Sequence, residues 1–127
     1  MSADFKKNNK KIEEFLTSCS RQKRFLIPAM LLLLAEKPTH GYELIEKYSS
    51  FGFTNAGSDA GAIYRTLKIL ETKDFIKSVW ETDKPGAAKK NYSITGQGFE
   101  LLKRWVVEIG ERKKTLEFFI ERFENLN

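Results

Sequence analysis

Residues 75 to 95 change the period of the sequence. On either side the apolar positions recur every three or four residues, whereas "FIKSVWE" (75–81) and "KNYSIT" (90–95) follow a period of two and are rich in β-branched and aromatic side chains. "TDKPGAAK" between them carries a Pro-Gly turn signal, and Lys84, Lys89 and Lys90 gather positive charge around it. A β-hairpin with a basic tip is expected here, and any fold of the chain has to set that hairpin among helices.

Three helices are expected before it. The apolar run "FLIPAMLLLLA", Phe25 to Ala35, lies in a helix from about Arg21 to Lys37. Pro28 is tolerated best in a first turn, which puts the expected start near Ile27. In "KPTHGYELIEKYSS", Pro38 is a stop, Thr39 the expected N-cap, and Tyr42, Leu44, Ile45 and Tyr48 the helical pattern. "SDAGAIYRTLKILETKD" opens on Ser58 or Asp59 as N-cap and continues with Ile63, Leu67 and Leu70 at intervals of three and four.

After the hairpin, Leu102, Ile109, Leu116 and Phe123 recur every seven positions, with Trp105, Val106, Phe119 and Ile120 beside them. One long amphipathic helix closes the chain. About 30 residues at 1.5 Å each span roughly 45 Å, against a radius of gyration of roughly 14 Å for a compact chain of this size. Its own domain cannot wrap such a helix, and the expected cover for the stripe is a two-fold copy of itself. Arg112 and Lys113 interrupt the stripe just past Gly110, where a wetter seam is expected.

A chain of 127 residues, 41% hydrophobic and 13% aromatic, suits one soluble domain and is too aromatic for a disordered one. The longest apolar run is about half of the roughly 20 residues of a membrane span, so a cytoplasmic protein without membrane contact is expected. Cys19 is the single cysteine; it has no disulfide partner and no ligand cluster for zinc, so no metal and no cofactor are expected. The net charge of +5 is uneven: residues 1 to 24 carry seven basic and three acidic side chains, and residues 58 to 95 seven and five, whereas residues 96 to 127 carry six of each. Such clustering points to a polyanionic partner. "KKNNKK" lacks an apolar face and is expected to be a flexible arm. The expected division is a basic arm or extra helix over 1–20, a nucleic-acid-binding unit over 21–95 and a dimerisation helix over 96–127.

"FGFTNAGSDAGAIYRTLKILE" (51–71) puts three glycines before the third helix. A phosphate-binding loop would follow a strand and end in lysine and a hydroxyl. Here a helix precedes, and Ser58 and Asp59 follow Gly57, so the loop is read as the turn that lets the third helix cross the second. Helix, helix, helix, hairpin, helix is the order of a winged helix-turn-helix: mainly α with a small β-hairpin (α+β), extended by a long C-terminal dimerisation helix.

"HGYELIEKY" (40–48), "DAGAIYRTLKILE" (59–71), "SVWE" (78–81) and "KKNYSITGQG" (89–98) together resemble the PadR family of bacterial transcriptional regulators, over about residues 25 to 105. The single long C-terminal helix is similar to the smaller PadR subfamily. Gly86, Ala87, Ala88, Lys89 and Lys90 stand where the family's wing has a Gly-Pro pair followed by a basic residue, which implies a softer wing tip. The resemblance implies a dimeric, ligand-responsive repressor that reads a palindromic operator through the third helix and the wing, with an effector site near the dimer interface.

The residues support parts of this on their own. Ala60, Gly61 and Ala62 give the third helix a thin start that suits a major groove, so Tyr64, Arg65 and Lys68 become the side chains that reach: Arg65 for guanine, Lys68 or Tyr64 for phosphate. Ser58, Lys84, Lys89 and Lys90 complete the expected DNA-contacting set, and Tyr42 matches the tyrosine of the family's "HGY" motif. Leu102, Trp105, Val106, Ile109, Leu116, Phe119, Ile120 and Phe123 form the expected dimer seam, where Trp105 also offers an aromatic face to an effector. The plainer readings are a Tyr64 tucked under the hairpin, Arg65 and Lys68 as solvated charges, Asp59 as a cap, His40 as a structural residue and Trp105 as core. A winged-helix adaptor for protein contacts is the alternative function. An enzyme is not expected, because no nucleophile-base pair, metal cluster or glycine fingerprint is present.

Overall fold

The computed structural model describes residues 9–15, 21–51, 60–81 and 89–126. In chain order these form α1 (residues 9–15), α2 (Arg21–Glu36), β1 (Thr39–His40), α3 (Gly41–Ser49), α4 (Ala60–Thr72), β2 (Ile76–Glu81), β3 (Lys89–Ile94) and α5 (Gly96–Glu124). The result is a winged helix-turn-helix: a helical body with one small antiparallel sheet, ordered β1-β3-β2.

Helix α2 is the centre of the body and touches α3, α4, β3 and α5. That explains its continuous apolar run: Ile27, Met30, Leu31 and Leu34 are all buried because neighbours cover it on several sides. The helix runs from Arg21 straight through Pro28, not from the expected start near Ile27. A proline costs its own N–H bond and crowds the preceding turn. Burial of the apolar run on four elements offsets that cost.

Thr39 is not the N-cap of α3. Its backbone belongs to β1, paired with Tyr92, and its hydroxyl donates to the Lys37 carbonyl at 2.7 Å. His40 occupies the cap position without a side-chain cap bond. A strand ladder has taken the backbone that a cap would need. This third strand has no trace in a hydrophobic period, since two residues make none.

The hairpin is in register from Ile76 opposite Ile94 to Glu81 opposite Lys89. Glu71 on α4 fastens it to the helices: Ser78 Oγ donates to one carboxylate oxygen and Lys90 Nζ lies 3.3 Å from the other. Helix α4 ends in a tight turn in which Phe75 N–H reaches back to the Leu70 carbonyl and Asp74 N–H to that of Glu71. Asp74 has φ 65° there, a left-handed conformation that a short polar side chain tolerates. The turn drives Phe75 into the core, fully buried beside Leu70.

Of the two forms expected for the N-terminal segment, arm or extra helix, the described residues take the helical one. Residues 9–15 are helical, and Ile12 and Phe15 are buried in the common core. Lys11 donates to the Lys73 carbonyl and, at 3.2 Å, to Gln97 Oε1, while Glu13 pairs with Arg104. The lysines hid the apolar pair, which sits three residues apart on one helical face.

Thr95 caps α5 by accepting from Gly98 N–H at 3.1 Å. The first turn then runs so close to the end of α4 that a Cβ on Gly98 would overlap the Phe75 carbonyl oxygen, a backbone atom unable to move aside. Gly110, farther along the same helix, has nothing within 4 Å of its would-be Cβ. The pair gives a stability test by chemical denaturation. Gly98→Ala is expected to lose about 3 kcal/mol or more through overpacking, and Gly110→Ala to gain roughly 0.5–1 kcal/mol from helix propensity.

Candidate nucleic-acid interface

Helix α4 is amphipathic. Ile63, Thr66, Leu67 and Leu70 are buried, and on the opposite face Gly61, Tyr64, Arg65 and Lys68 are exposed. Tyr64, 46% exposed, shares a cleft with the hairpin residues Trp80 and Tyr92, and its ring lies over the first residue of α3, where a Cβ on Gly41 would come within 2.8 Å of Cε1. Ala60 is exposed at the start of α4. Ser58 and Lys84, with the Gly52 to Asp59 loop and the wing tip, lie outside the described residues.

The hairpin brings its base alongside. Lys89 and Lys90 open β3 but have different surroundings. Lys90 is held between Glu71 and the rings of Trp80 and Tyr92, whose centroids are 5.6 and 5.7 Å from its ammonium. Lys89 is exposed, 5.3 Å from the centroid of Tyr42, and makes no ion pair among the described residues. Lys89 is therefore the lysine turned outward, and Lys90 is engaged within the fold.

His40 joins the base of the wing to α3. Its Nδ1 is 3.1 Å from Glu43 Oε1, its Nε2 is 2.9 Å from Glu81 Oε2, and its ring stacks on Tyr42 at 5.7 Å between centroids. A neutral imidazole has one N–H and can donate to only one of these carboxylates; the imidazolium donates to both. The hydrogen bond to Glu43 and then that to Glu81 accordingly raise the His40 pKa above the ordinary 6.5, against a smaller opposing effect of burial. The bond to His40 is also the main cause that lowers the Glu43 pKa. His40 is thus a structural clamp next to the expected contact surface.

Trp80 was not among the residues expected at the site, yet it is 59% exposed on the face that holds Lys90. The period of two would have placed it, because Trp80 shares a face of β2 with Ile76 and Ser78 and pairs with Lys90 across the hairpin.

The expected dimer seam divides in two. Leu102 and Trp105 are 7% and 4% exposed, inside the chain's own core, which closes the indole off from solvent in a single chain. Val106, Ile109, Leu116, Phe119, Ile120 and Phe123 are exposed, from 40% to 71%. Among the described residues no group of three or more His, Cys, Asp or Glu side chains is arranged to hold a metal, and no helix is long and apolar enough to cross a membrane.

The fold and this helix-and-wing surface define a winged-helix transcriptional regulator. The sequence profile described as the transcriptional regulator PadR-like family matches residues 30–104, more than half of the chain, so the chain belongs to that family. A probable transcriptional regulator of Mycobacterium tuberculosis is 31% identical over 81 residues, which cover 63% of this chain and 42% of that protein. Among solved structures, a conserved protein of unknown function described as a potential transcriptional factor is 34% identical, with a TM-score of 0.73 over 84% of this chain and 94% of its own. A PadR family transcription regulator from hypervirulent Clostridium difficile is 26% identical, with a TM-score of 0.66 over 76% of this chain and 98% of its own.

The clamp has a pH signature. A raised His40 pKa stabilises the folded state fully below the unfolded value, and this contribution fades as pH rises through the folded value. The lowered Glu43 pKa acts at the other end, lost only as pH falls below the ordinary carboxylate range. The melting-temperature difference between wild type and His40→Gln is expected to be larger at about pH 5.5 than at about pH 8.5. An equal difference at both would remove the charged clamp.

Proposed function

We propose that the chain is a homodimeric repressor that binds double-stranded operator DNA, with α4 in the major groove and the hairpin against the phosphate backbone. The observation that carries this reading is the solvent-exposed face of α4. Three long polar side chains, Tyr64, Arg65 and Lys68, stand on the side opposite the buried residues, with the outward Lys89 beside them. Arg65 has the fork that pairs with guanine, whereas Lys68, Lys89 and Tyr42 suit phosphates, which position the protein without reading sequence.

Dimerisation through α5 is part of the same reading. The stripe that packs Leu101, Leu102 and Trp105 into the core continues as Ile109, Leu116, Phe119, Ile120 and Phe123, all of them exposed. A palindromic site follows from two-fold symmetry, with recognition helices about 34 Å apart. A ligand response fits the same frame: a small molecule near the seam beside Trp105 releases DNA only by favouring an arrangement of the two protomers that does not fit the operator. We place the protein in the cytoplasm, where such an operator is found.

Two experiments test this reading. In salt-dependent binding to selected genomic fragments, Lys89→Ala is expected to weaken all sequences and lower the salt slope by about 0.9 per protomer. Arg65→Ala is expected to cost about 1–3 kcal/mol on the preferred site and to relax its base preference. An unchanged slope and unchanged preference in both variants would remove this surface from DNA binding. Deletion of residues 110–127 is expected to give a monomer by light scattering and a collapse of operator affinity, because linkage of the two recognition helices is lost. An intact dimer after the deletion would move the seam elsewhere.

A further inference from the structure

Between the start of α3, the exposed face of α4 and the hairpin lies a cleft of about 400 Å³. This volume is within the roughly 300–1,000 Å³ typical of small-molecule sites. Its walls are mainly rings: Tyr42, Tyr64, Trp80 and Tyr92, with Lys89 and Lys90 among them. Aromatic rings that fill a core pack against one another. Tyr92 belongs to the core, but among the described residues Tyr64 and Trp80 make no ring contact, and the space between them is part of the cleft. Tyr64 and Trp80 are about half exposed there, two broad flat surfaces on which no ring among the described residues stacks.

Charge selects among flat ligands. Lys89 lies over Tyr42, and Lys90 over Trp80 and Tyr92, so a cationic guest would meet two ammonium groups. Glu71 answers the charge of Lys90 at 3.3 Å, and no carboxylate among the described residues answers that of Lys89. Glu81 stands opposite Lys89 across the hairpin but is committed to His40, so the Lys89 ammonium is available at an aromatic slot, which suits a flat group carrying an anion. A cavity of roughly 150 Å³ already holds a benzene ring, so this cleft has room for a ring system, a sugar and a phosphate together.

We propose that the cleft binds a nucleotide, its base against Tyr64 and Trp80 and its phosphate at Lys89. Sequence-tolerant binding of bases through aromatic platforms and a basic rim is the chemistry of single-strand recognition, and the same chemistry takes a free mononucleotide. The proposal deepens the reading of this face as a nucleic-acid surface and rests on it. Its consequence is direct competition, because a nucleotide in the cleft occupies the space between α4 and the wing that a duplex backbone would cross.

Calorimetric titration of the full chain with adenosine monophosphate and with a short oligothymidylate, in parallel with a genomic duplex, tests it. At least one of the two probes is expected to bind saturably. Trp80→Ala and Tyr64→Ala are each expected to weaken that binding about tenfold, Trp80→Phe to retain most of it, and Val79→Ala, exposed on the same strand but outside the cleft, to leave it unchanged. Circular dichroism checks that each variant is folded, and Tyr64→Ala, on the exposed face of a helix, keeps the test valid if the Trp80 variant is not. Binding of the monophosphate without the oligomer identifies a free nucleotide as the occupant, and the reverse identifies an unpaired strand. Duplex binding with neither probe bound overturns the nucleotide site alone. Loss of all three overturns the duplex reading with it, and probe binding indifferent to both alanine variants overturns the proposed location.

Discussion

The backbone bonds between Thr39–His40 and Asn91–Tyr92 tie the turn between α2 and α3 to the inner strand of the hairpin. Most of what faces the cleft is located from this pairing. It starts α3 at Gly41 with Tyr42 beside the wing, and it sets His40 where one imidazole reaches a carboxylate on α3 and another on β2. Glu71 makes the second attachment, from α4 to both strands of the hairpin. Helix and wing are therefore fixed to each other at two ends, one by a ladder and a histidine, the other by a carboxylate. Neither attachment uses a large apolar contact, and this leaves the aromatic side chains between them uncovered.

The body below is ordinary hydrophobic physics, with one face of α5 under two regimes. Its first three turns bury Leu101, Leu102 and Trp105 against the winged unit, so the expected boundary after residue 95 cuts through a shared core. Beyond Gly110 the same face carries Leu116, Phe119, Ile120 and Phe123 into solvent. Each such side chain is worth about 1.5–3 kcal/mol when fully buried. Association costs an estimated 4–15 kcal/mol, and on the proposed dimer the stripes of both protomers, about 12–24 kcal/mol together, outweigh it over most of that range.

The sequence made the large elements legible wherever a period persists: α4 from Ile63, Leu67 and Leu70, α5 from its heptad stripe, and the hairpin from its change of period. It did not make β1 legible, because two residues show no period and their partner strand is about 50 residues away. Helix α1 stayed one of two alternatives, arm or helix, for a different reason. Ile12 and Phe15 are an apolar pair set among lysines and acids, and the cover they find is supplied by distant elements. At the site, Arg65, Lys68 and Tyr64 were legible from the helical face, whereas the division of labour between Lys89 and Lys90 was not. It depends on Glu71, which is 19 residues from Lys90 in sequence and 3.3 Å from it in space.

Three carboxylates, Glu43, Glu71 and Glu81, stand beside a surface proposed to meet a polyanion. Their presence is consistent with that role only because each is paired: Glu71 with Lys90, and the other two with one imidazole between them. The second pairing depends on a single proton. When His40 loses it, two carboxylates share a neutral ring that can donate to only one of them, and a full positive charge disappears from the edge of the contact surface. On the proposed function, the two carboxylates that the neutral histidine no longer offsets then repel phosphate. Rising pH loosens the wing and makes its surface more negative through the same group, so stability and DNA affinity should fall together.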